Sequence, residues 1–461
     1  MDRWVVLGMM VVLAAGPVMG QKLSGVENYS ANRPGVVMVR TEFTANVYVN
    51  RMKMDNRAFN SLLDSIQRLD TSGAIASEQK LDIVLKEMNG NPARYFKSTF
   101  DYIKQEEEIT STGTGFFITG DGYVATNCHL IERENAFIRR QFILSAFRQI
   151  TEANILALEG AWATSFNEQQ RNLLYNTYAS VYSRLFSMEL YDLKKNIYIV
   201  FRSDRDGRGA VSEKKLASIV ITGQPMPGKD IAILKIDGDT NRPTLRIASG
   251  VLPRVGEQLY VYGYPGPVTN NDFVSAESAL EPTLTTGIVS AIKNSVGGWP
   301  VIQMDANINH GSSGGPVCNE RGEVVGLTTF GSIENTGGLA AGLNFAIPVT
   351  ILYEYLDTAG ITPAMSTASK LFMEGLLYFR NEHYRSALRK FEEVQGLDAA
   401  YPSLDSYVHE TKSLIGTGHN RGTGPVERLL FVFLLLCMAA AGILLVRWFL
   451  FRKPGTDRRR G

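Results

Sequence analysis

At 461 residues the chain exceeds one ordinary domain, so two or three units with accessory segments are expected. A hydrophobic share of 44% and a charged share of 20% describe a foldable globular chain and exclude a disordered one. The net charge of +1, from 47 Lys and Arg against 46 Asp and Glu, gives no electrostatic basis for nucleic-acid binding. With five histidines, three cysteines and no Cys/His cluster at zinc-ligand spacing, neither a metal nor a cofactor is indicated.

Residues 1–20 place a charge at Arg3, a short apolar run over 4–15 and small residues up to Gly20, the pattern of a secretory leader cleaved after Gly20. From Arg33 the segment RPGVVMVRTEFTANVYV is rich in valine, threonine and aromatics and reads as a strand or strand pair. Residues 52–108 change to three- and four-residue apolar spacing, which predicts helices. Strand character returns over 112–127, with Gly120-Asp121-Gly122 as a turn. A second helical block is predicted over 133–194, with Ser165 and Glu168 as a capping box between its helices.

From Ile197 to Pro348 short strands alternate with glycine-rich turns, the pattern of a barrel or sandwich. Residues 366–416 are helical again, and Gly375, Tyr378, Ala387 and Phe391 stand at the spacing of one tetratricopeptide helix hairpin. One such repeat is not expected to stand alone, so it either docks on the barrel or pairs with another copy. A linker follows over 417–428. Residues 429–446 form an uncharged apolar run long enough to span a bilayer, and the basic tail 447–461 places that end in the cytosol with the body outside. Cys437 lies in that run. In the exported body only Cys128 and Cys318 remain, expected as buried free thiols and not as a disulfide framework.

Acyl transfer by a serine needs a nucleophile, a base, a group to orient the base and donors for the oxyanion. HGSSGGP over 310–316 offers Ser313 in a glycine-rich turn, where the N–H groups of Gly311 and Ser313 can converge on one oxygen. His129 ends a strand-like run in ATNCHL, and Asp230 opens the apolar strand of GKDIAILKI. Each signal alone has a plain structural reading: a turn serine, a satisfied histidine, a strand-end carboxylate. Their occurrence together in the order His, Asp, Ser gives them weight.

The segments TGTGFFITGDGYVATNCHLI, KDIAILKI, TTGIVSAI, QMDANINHGSSGGPVCNERGEVVGLTT and GLNFAIP resemble successive blocks of the HtrA (Deg) family of chymotrypsin-type serine proteases, and RPGVVMVRT resembles its first strand. The resemblance runs discontinuously from about Arg33 to Pro348. It implies a mainly β fold, a double β-barrel of two perpendicular six-stranded barrels over 31–358, carrying the helical insertions 52–108 and 133–194. It further implies Ser313 as nucleophile, His129 as general acid and base, and Asp230 as the orienting carboxylate, acting on protein or peptide substrates.

His129 and Asp230 stand 101 residues apart, more than the family's usual few tens, because the second insertion intervenes. Both insertions leave the first barrel and read either as a lid over the cleft or as surface decoration. No PDZ counterpart is visible. Asn307, Thr328 and Thr329 are expected to line the substrate pocket, and an uncharged Asn307 disfavours a basic residue before the scissile bond. Ser312 stands where pancreatic-type zymogens carry an aspartate, so activation by a buried ion pair is not expected. A homo-oligomer and a partner docked on 366–416 stay open. The rivals are a catalytically silent scaffold that uses the insertions for docking, and a membrane signalling component that cleaves one partner.

Overall fold

The computed structural model describes residues 22–419 apart from 186–187, 204–210, 239, 267–272, 276–277 and 334–338, together with 433, 436–444 and 447. Its first sheet closes into a barrel in the order β1 (Val36–Met54), β2 (Phe96–Phe117), β3 (Tyr123–Thr126), β6 (Ala232–Ile236), β5 (Val211–Thr222) and β4 (Met188–Ser203). The alternation along β1 sends Val39, Thr41, Phe43, Ala45, Val47 and Val49 inward and the residues between them outward. Val37, Val39, Phe117, Val124, Ile199, Leu234 and Ile236 fill this barrel.

The second sheet is seven-stranded, in the order β11 (Pro316–Cys318), β8 (Gln258–Gly263), β9 (Thr283–Asn294), β10 (Pro300–Met304), β13 (Leu339–Pro348), β12 (Glu323–Ile333) and β7 (Arg246–Ile247). A β11–β12 pairing joins its first and sixth members. This seven-stranded sheet stands where a six-stranded barrel was expected and differs from it by β7, which adds to β12 in parallel, Glu323 facing Arg246 and Val324 facing Ile247. One buried cluster crosses between the sheets, with Val36, Phe116, Ile231 and Ile233 of the first packed among residues such as Leu259, Tyr262, Ile302, Leu327 and Ile347 of the second. Helix α8 (Val349–Ala359) follows β13 and seals this core with Ile351, Leu352 and Leu356.

The insertions differ from the helical blocks expected at 52–108 and 133–194. β1 continues to Met54 and pairs there with Phe96, so 96–108 is strand; β4 begins at Met188 and pairs with Val49, so 188–194 is strand as well. Three barrel strands thus run on past the barrel, and α2 (Asn56–Thr71), α3 (Lys80–Gly90), α4 (Pro92–Tyr95), α6 (Asn135–Trp162) and α7 (Glu168–Leu185) belong to the same added unit. Phe43, Val47 and Val49 share a core there with Phe59, Leu85, Met88, Phe142, Ile150, Tyr178 and Val181. Among the described residues that cluster takes none from the second sheet, so its packing favours an outgrowth of the first barrel over a cover spanning both sheets. From the Met38–Thr114 pair to the Met54–Phe96 pair, β1 covers about 50 Å of strand. The cap of α7 is Asn167 with Gln170, each side chain accepting from the other's backbone N–H at 2.9 and 3.0 Å, in place of the expected Ser165 and Glu168.

Residues 366–416 form three helices, α9 (Thr367–Arg380), α10 (Tyr384–Leu397) and α11 (Leu404–Gly416), where a hairpin was expected. Phe372, Phe391, Tyr401, Leu404 and Val408 form their core. The third helix completes that core because a hairpin alone would leave Tyr401 and Phe372 open on one side. The unit docks on the barrels: Ser366 N–H donates to Thr244 Oγ1 (2.8 Å), Thr244 N–H to Ser369 Oγ (2.7 Å), and Tyr407 OH to Ser30 Oγ (2.6 Å). A Cβ at Gly375 would lie 2.4 Å from the Phe391 ring. Gly375→Val is therefore expected to destabilise this unit by about 1–3 kcal/mol through overpacking, read as an earlier unfolding midpoint in urea.

Among the described residues no helix is long and apolar enough to cross a membrane. The expected leader 1–20 lies outside them, as do residues 429–432, 434–435 and 445–446 of the expected span and 448–461 of the tail; residues 433, 436–444 and 447 are helical.

Candidate active site

His129 lies on α5 (Cys128–Ile131), a single turn directly after β3. The buried Leu130 and Ile131 anchor that turn, and Thr41 Oγ1 donates to the Leu130 carbonyl at 2.9 Å. Asp230 precedes β6, and its carbonyl accepts from Asn127 Nδ2 at 2.8 Å, which ties β6 to the residues before α5. The sequence places these residues 101 positions apart; the pairing of β3 with β6 brings them together.

The Asp230 carboxylate is fully buried, while the His129 side chain is 31% exposed. Asp230 Oδ2 lies 2.6 Å from His129 Nδ1 and accepts from Thr329 Oγ1 at 2.9 Å; Oδ1 accepts from the His129 backbone N–H at 2.8 Å. Three donors thus compensate the desolvated carboxylate. A carboxylate can only accept, so the neutral imidazole carries its proton on Nδ1 and keeps Nε2 as its accepting nitrogen.

Ser313 sits in the turn before β11. Gly311 has φ +97° and Gly314 φ +82°, and a Cβ there would lie 2.3 Å from the Tyr264 carbonyl oxygen and 2.2 Å from that of Thr114. Only glycine fits both conformations. The turn is pinned from several sides: Thr114 N–H donates to the Ser313 carbonyl (2.8 Å), Thr114 Oγ1 to the Gly311 carbonyl (2.7 Å), and Gly314 N–H to the Thr328 carbonyl (2.8 Å). The His310 carbonyl accepts from Gly266 N–H at 2.6 Å. In a planar trans peptide the following N–H points the opposite way, so Gly311 N–H is turned from that contact. Among the described residues, neither Gly311 N–H nor Ser313 N–H has a protein acceptor. A Cβ at residue 311 would force the turn off this geometry, so Gly311→Ala is expected to lower kcat for peptide hydrolysis by about 10²- to 10³-fold, the size of effect seen when an oxyanion contact is lost, with KM less affected.

Ser313 Oγ donates to the Thr329 carbonyl at 3.0 Å and not to the imidazole. Thr329 therefore bridges the site: its carbonyl accepts from the Ser313 hydroxyl and its own hydroxyl donates to Asp230. Rotation about the serine Cα–Cβ bond redirects that hydroxyl, and such contacts tighten on substrate binding.

The expected pocket residues separate. Thr328 and Thr329, 0% and 3% exposed, turn their hydroxyls inward: Thr328 Oγ1 donates to the Ser312 carbonyl at 2.5 Å and accepts from Gly315 N–H at 3.1 Å, while Thr329 serves Asp230. Both hydroxyls are committed, so neither serves as a free pocket-lining group. Asn307 is exposed, and its carbonyl accepts from Thr285 Oγ1 at 3.0 Å. Thr114 is not singled out in the sequence, although its hydroxyl joins Tyr264 N–H (3.0 Å) to the Gly311 carbonyl. The one signal is its place between two glycines in TGTG.

Cys128 and Cys318 are free and buried. Burial pushes both thiols up, away from the reactive thiolate form.

Residues 189–327 match the family model of the trypsin-like peptidase domain, a stretch that contains Asp230 and Ser313 and starts beyond the two helices that follow His129. Protease Do-like 1, chloroplastic, of Arabidopsis thaliana is 27% identical over 238 residues, 46% of this chain and 50% of the relative. Serine endoprotease DegS of Escherichia coli (strain K12) is 33% identical over 133 residues, 28% of this chain and 34% of the relative. Among solved structures, the HtrA-type protease AlgW with decapeptide is 19% identical at a TM-score of 0.36, covering 73% of this chain and 67% of that chain, too low a global likeness to carry weight. The chain spans half or less of the length of these two curated relatives. These similarities support a trypsin-like serine protease hydrolase, similar to the Do and DegS endoproteases.

Proposed function

We propose that the chain is a membrane-tethered serine endopeptidase that cleaves unfolded or membrane-proximal proteins outside the cytosol. The observation that carries this reading is the buried Asp230 held 2.6 Å from His129 Nδ1, with Ser313 in a glycine turn whose two N–H groups have no protein acceptor among the described residues. In this reading His129 Nε2 takes the Ser313 proton as Oγ attacks the scissile carbonyl, and the Gly311 and Ser313 N–H groups receive the oxyanion. The imidazolium then protonates the leaving amine, and water repeats the cycle on the acyl-enzyme. Asp230 holds the tautomer and balances the imidazolium charge without itself taking the proton.

The tether rests on the apolar run 429–446 and its basic flank, and the extracytoplasmic body on the leader 1–20. Relatives named as probable periplasmic endoproteases accord with a bacterial periplasmic setting. The uncharged Asn307 accords with small or aliphatic residues before the scissile bond.

Incubation of the full-length protein with casein, read by gel and by peptide mass spectrometry, tests the reading. Internal cleavage by wild type and none by Ser313→Ala supports it; casein left whole by both supports the silent scaffold instead.

A further inference from the structure

Arg133 stands just beyond α5, at the foot of α6, and differs from most guanidinium groups of the molecule. Its Nη2 donates to Ser111 Oγ at 2.9 Å, and the group lies over the Phe137 ring at 5.4 Å. Among the described residues it has no carboxylate at ion-pair distance, and its Nε is buried without a hydrogen-bond partner. The neighbouring Glu132 is taken by Lys195 at 2.7 Å. Burial lowers the pKa of Arg133 below the ordinary arginine value, the mark of a cation stripped of water without an anion to compensate it. A half-buried, unpaired charge is costly unless an anion arrives to pair with it.

Its position relates it to the cleft. Strand β2 and the turn α5 form one wall: Thr114 is bound to the nucleophile turn, a Cβ at Gly113 would strike Leu130, and Ser111 holds Arg133. Ser111 and Thr114 are separated by about 10 Å of strand. The leaving amine must lie on the imidazole side of Ser313, because His129 delivers its proton. In the endopeptidase reading the chain beyond that amine passes α5 and the start of α6, because Arg133 follows His129 by only four residues. At about 3.3 Å per residue its second or third residue comes level with Arg133.

We propose that Arg133 determines specificity on the leaving-group side of the cleft, selecting peptides with a carboxylate at the second or third residue past the scissile bond. This rests on the endopeptidase reading above. The carboxylate is supplied either by an Asp or Glu side chain or by the end of a chain. A guanidinium binds both through the same charge-assisted hydrogen bonds.

The test uses the full-length protein and quenched fluorescent peptides identical except for Glu or Gln at those two positions, with a second pair ending there as free acid or amide. Wild type is expected to favour Glu over Gln by about tenfold in kcat/KM, more at low salt than at high salt. Arg133→Gln is expected to bring that ratio near one, and Arg133→Glu to invert it. The acid-to-amide ratio tells whether a chain end serves as well as a side chain. A wild-type Glu-to-Gln ratio near one at both positions overturns the proposal without recourse to any variant, and so does a ratio that survives Arg133→Gln. Cleavage of the Gln peptides keeps the endopeptidase reading intact in that case. Absence of all cleavage, with no fluorophosphonate labelling, overturns both.

Discussion

Ser313→Ala is expected to lower peptide turnover by roughly 10⁴- to 10⁶-fold while leaving the fold intact. The hydroxyl makes one hydrogen bond, to the carbonyl of the buried Thr329, so its removal leaves a single acceptor facing the half-exposed position 313. The contacts that set the turn are made by backbone groups of residue 313 and by Gly314, Thr114 and Thr328, none of which the substitution alters. Stability is therefore expected to shift by less than about 1 kcal/mol. Substrate should still bind, because the rest of the cleft is untouched. A turnover loss with unchanged urea midpoint separates a nucleophile from a structural turn serine.

Asp230→Asn has the second-largest expected effect, a fall in kcat of about 10⁴-fold. Asp230 now accepts from His129 Nδ1–H, the His129 N–H and Thr329 Oγ1–H. An amide has one acceptor oxygen and an NH₂ group, so at least one of those donors would face another donor. If the NH₂ faces Nδ1, the imidazole is driven to the tautomer with its proton on Nε2, which cannot take the serine proton. The buried site gives no water to repair the mismatch, so a stability loss of about 1–3 kcal/mol is expected alongside. kcat is measured by steady-state peptide hydrolysis and stability by urea unfolding. Thr329→Val removes one donor to the same carboxylate and should fall between wild type and Asp230→Asn in kcat.

The order His129, Asp230, Ser313 was legible because each residue sits in a short segment whose local chemistry is distinctive: a strand end, the start of an apolar strand, and a double-glycine turn. The unit grown on the first barrel was less legible. Along β2 most residues between Lys97 and Glu106 face solvent, so apolar alternation is absent and only the neighbouring helices show a period. The pairing with β1 that makes this segment a strand is a long-range fact. Thr329 was misplaced for a related reason: buried polar groups on a strand between two sheets find partners that sequence spacing does not reveal, here Asp230 and Ser313. Arg133 is equally silent in the sequence, where it is one of 47 basic residues. Its lack of an anion is visible only in three dimensions.

The outgrowth is joined to the nucleophile turn through β2. Its helices share a core with β1, β2 and β4, and Ser145 Oγ and Gln149 Nε2 both donate to the buried Glu107 on β2, at 2.6 and 3.1 Å. The same continuous strand carries Thr114, whose N–H donates to the Ser313 carbonyl.

If Ser313 is the residue activated by His129 and Asp230, a fluorophosphonate reacts there. The full-length protein is labelled and the adduct mapped by mass spectrometry. One adduct is expected, on Ser313, absent from Ser313→Ala and strongly slowed in Asp230→Asn. No adduct on Ser313 in folded protein, or an adduct on another serine that persists in Ser313→Ala, would contradict it.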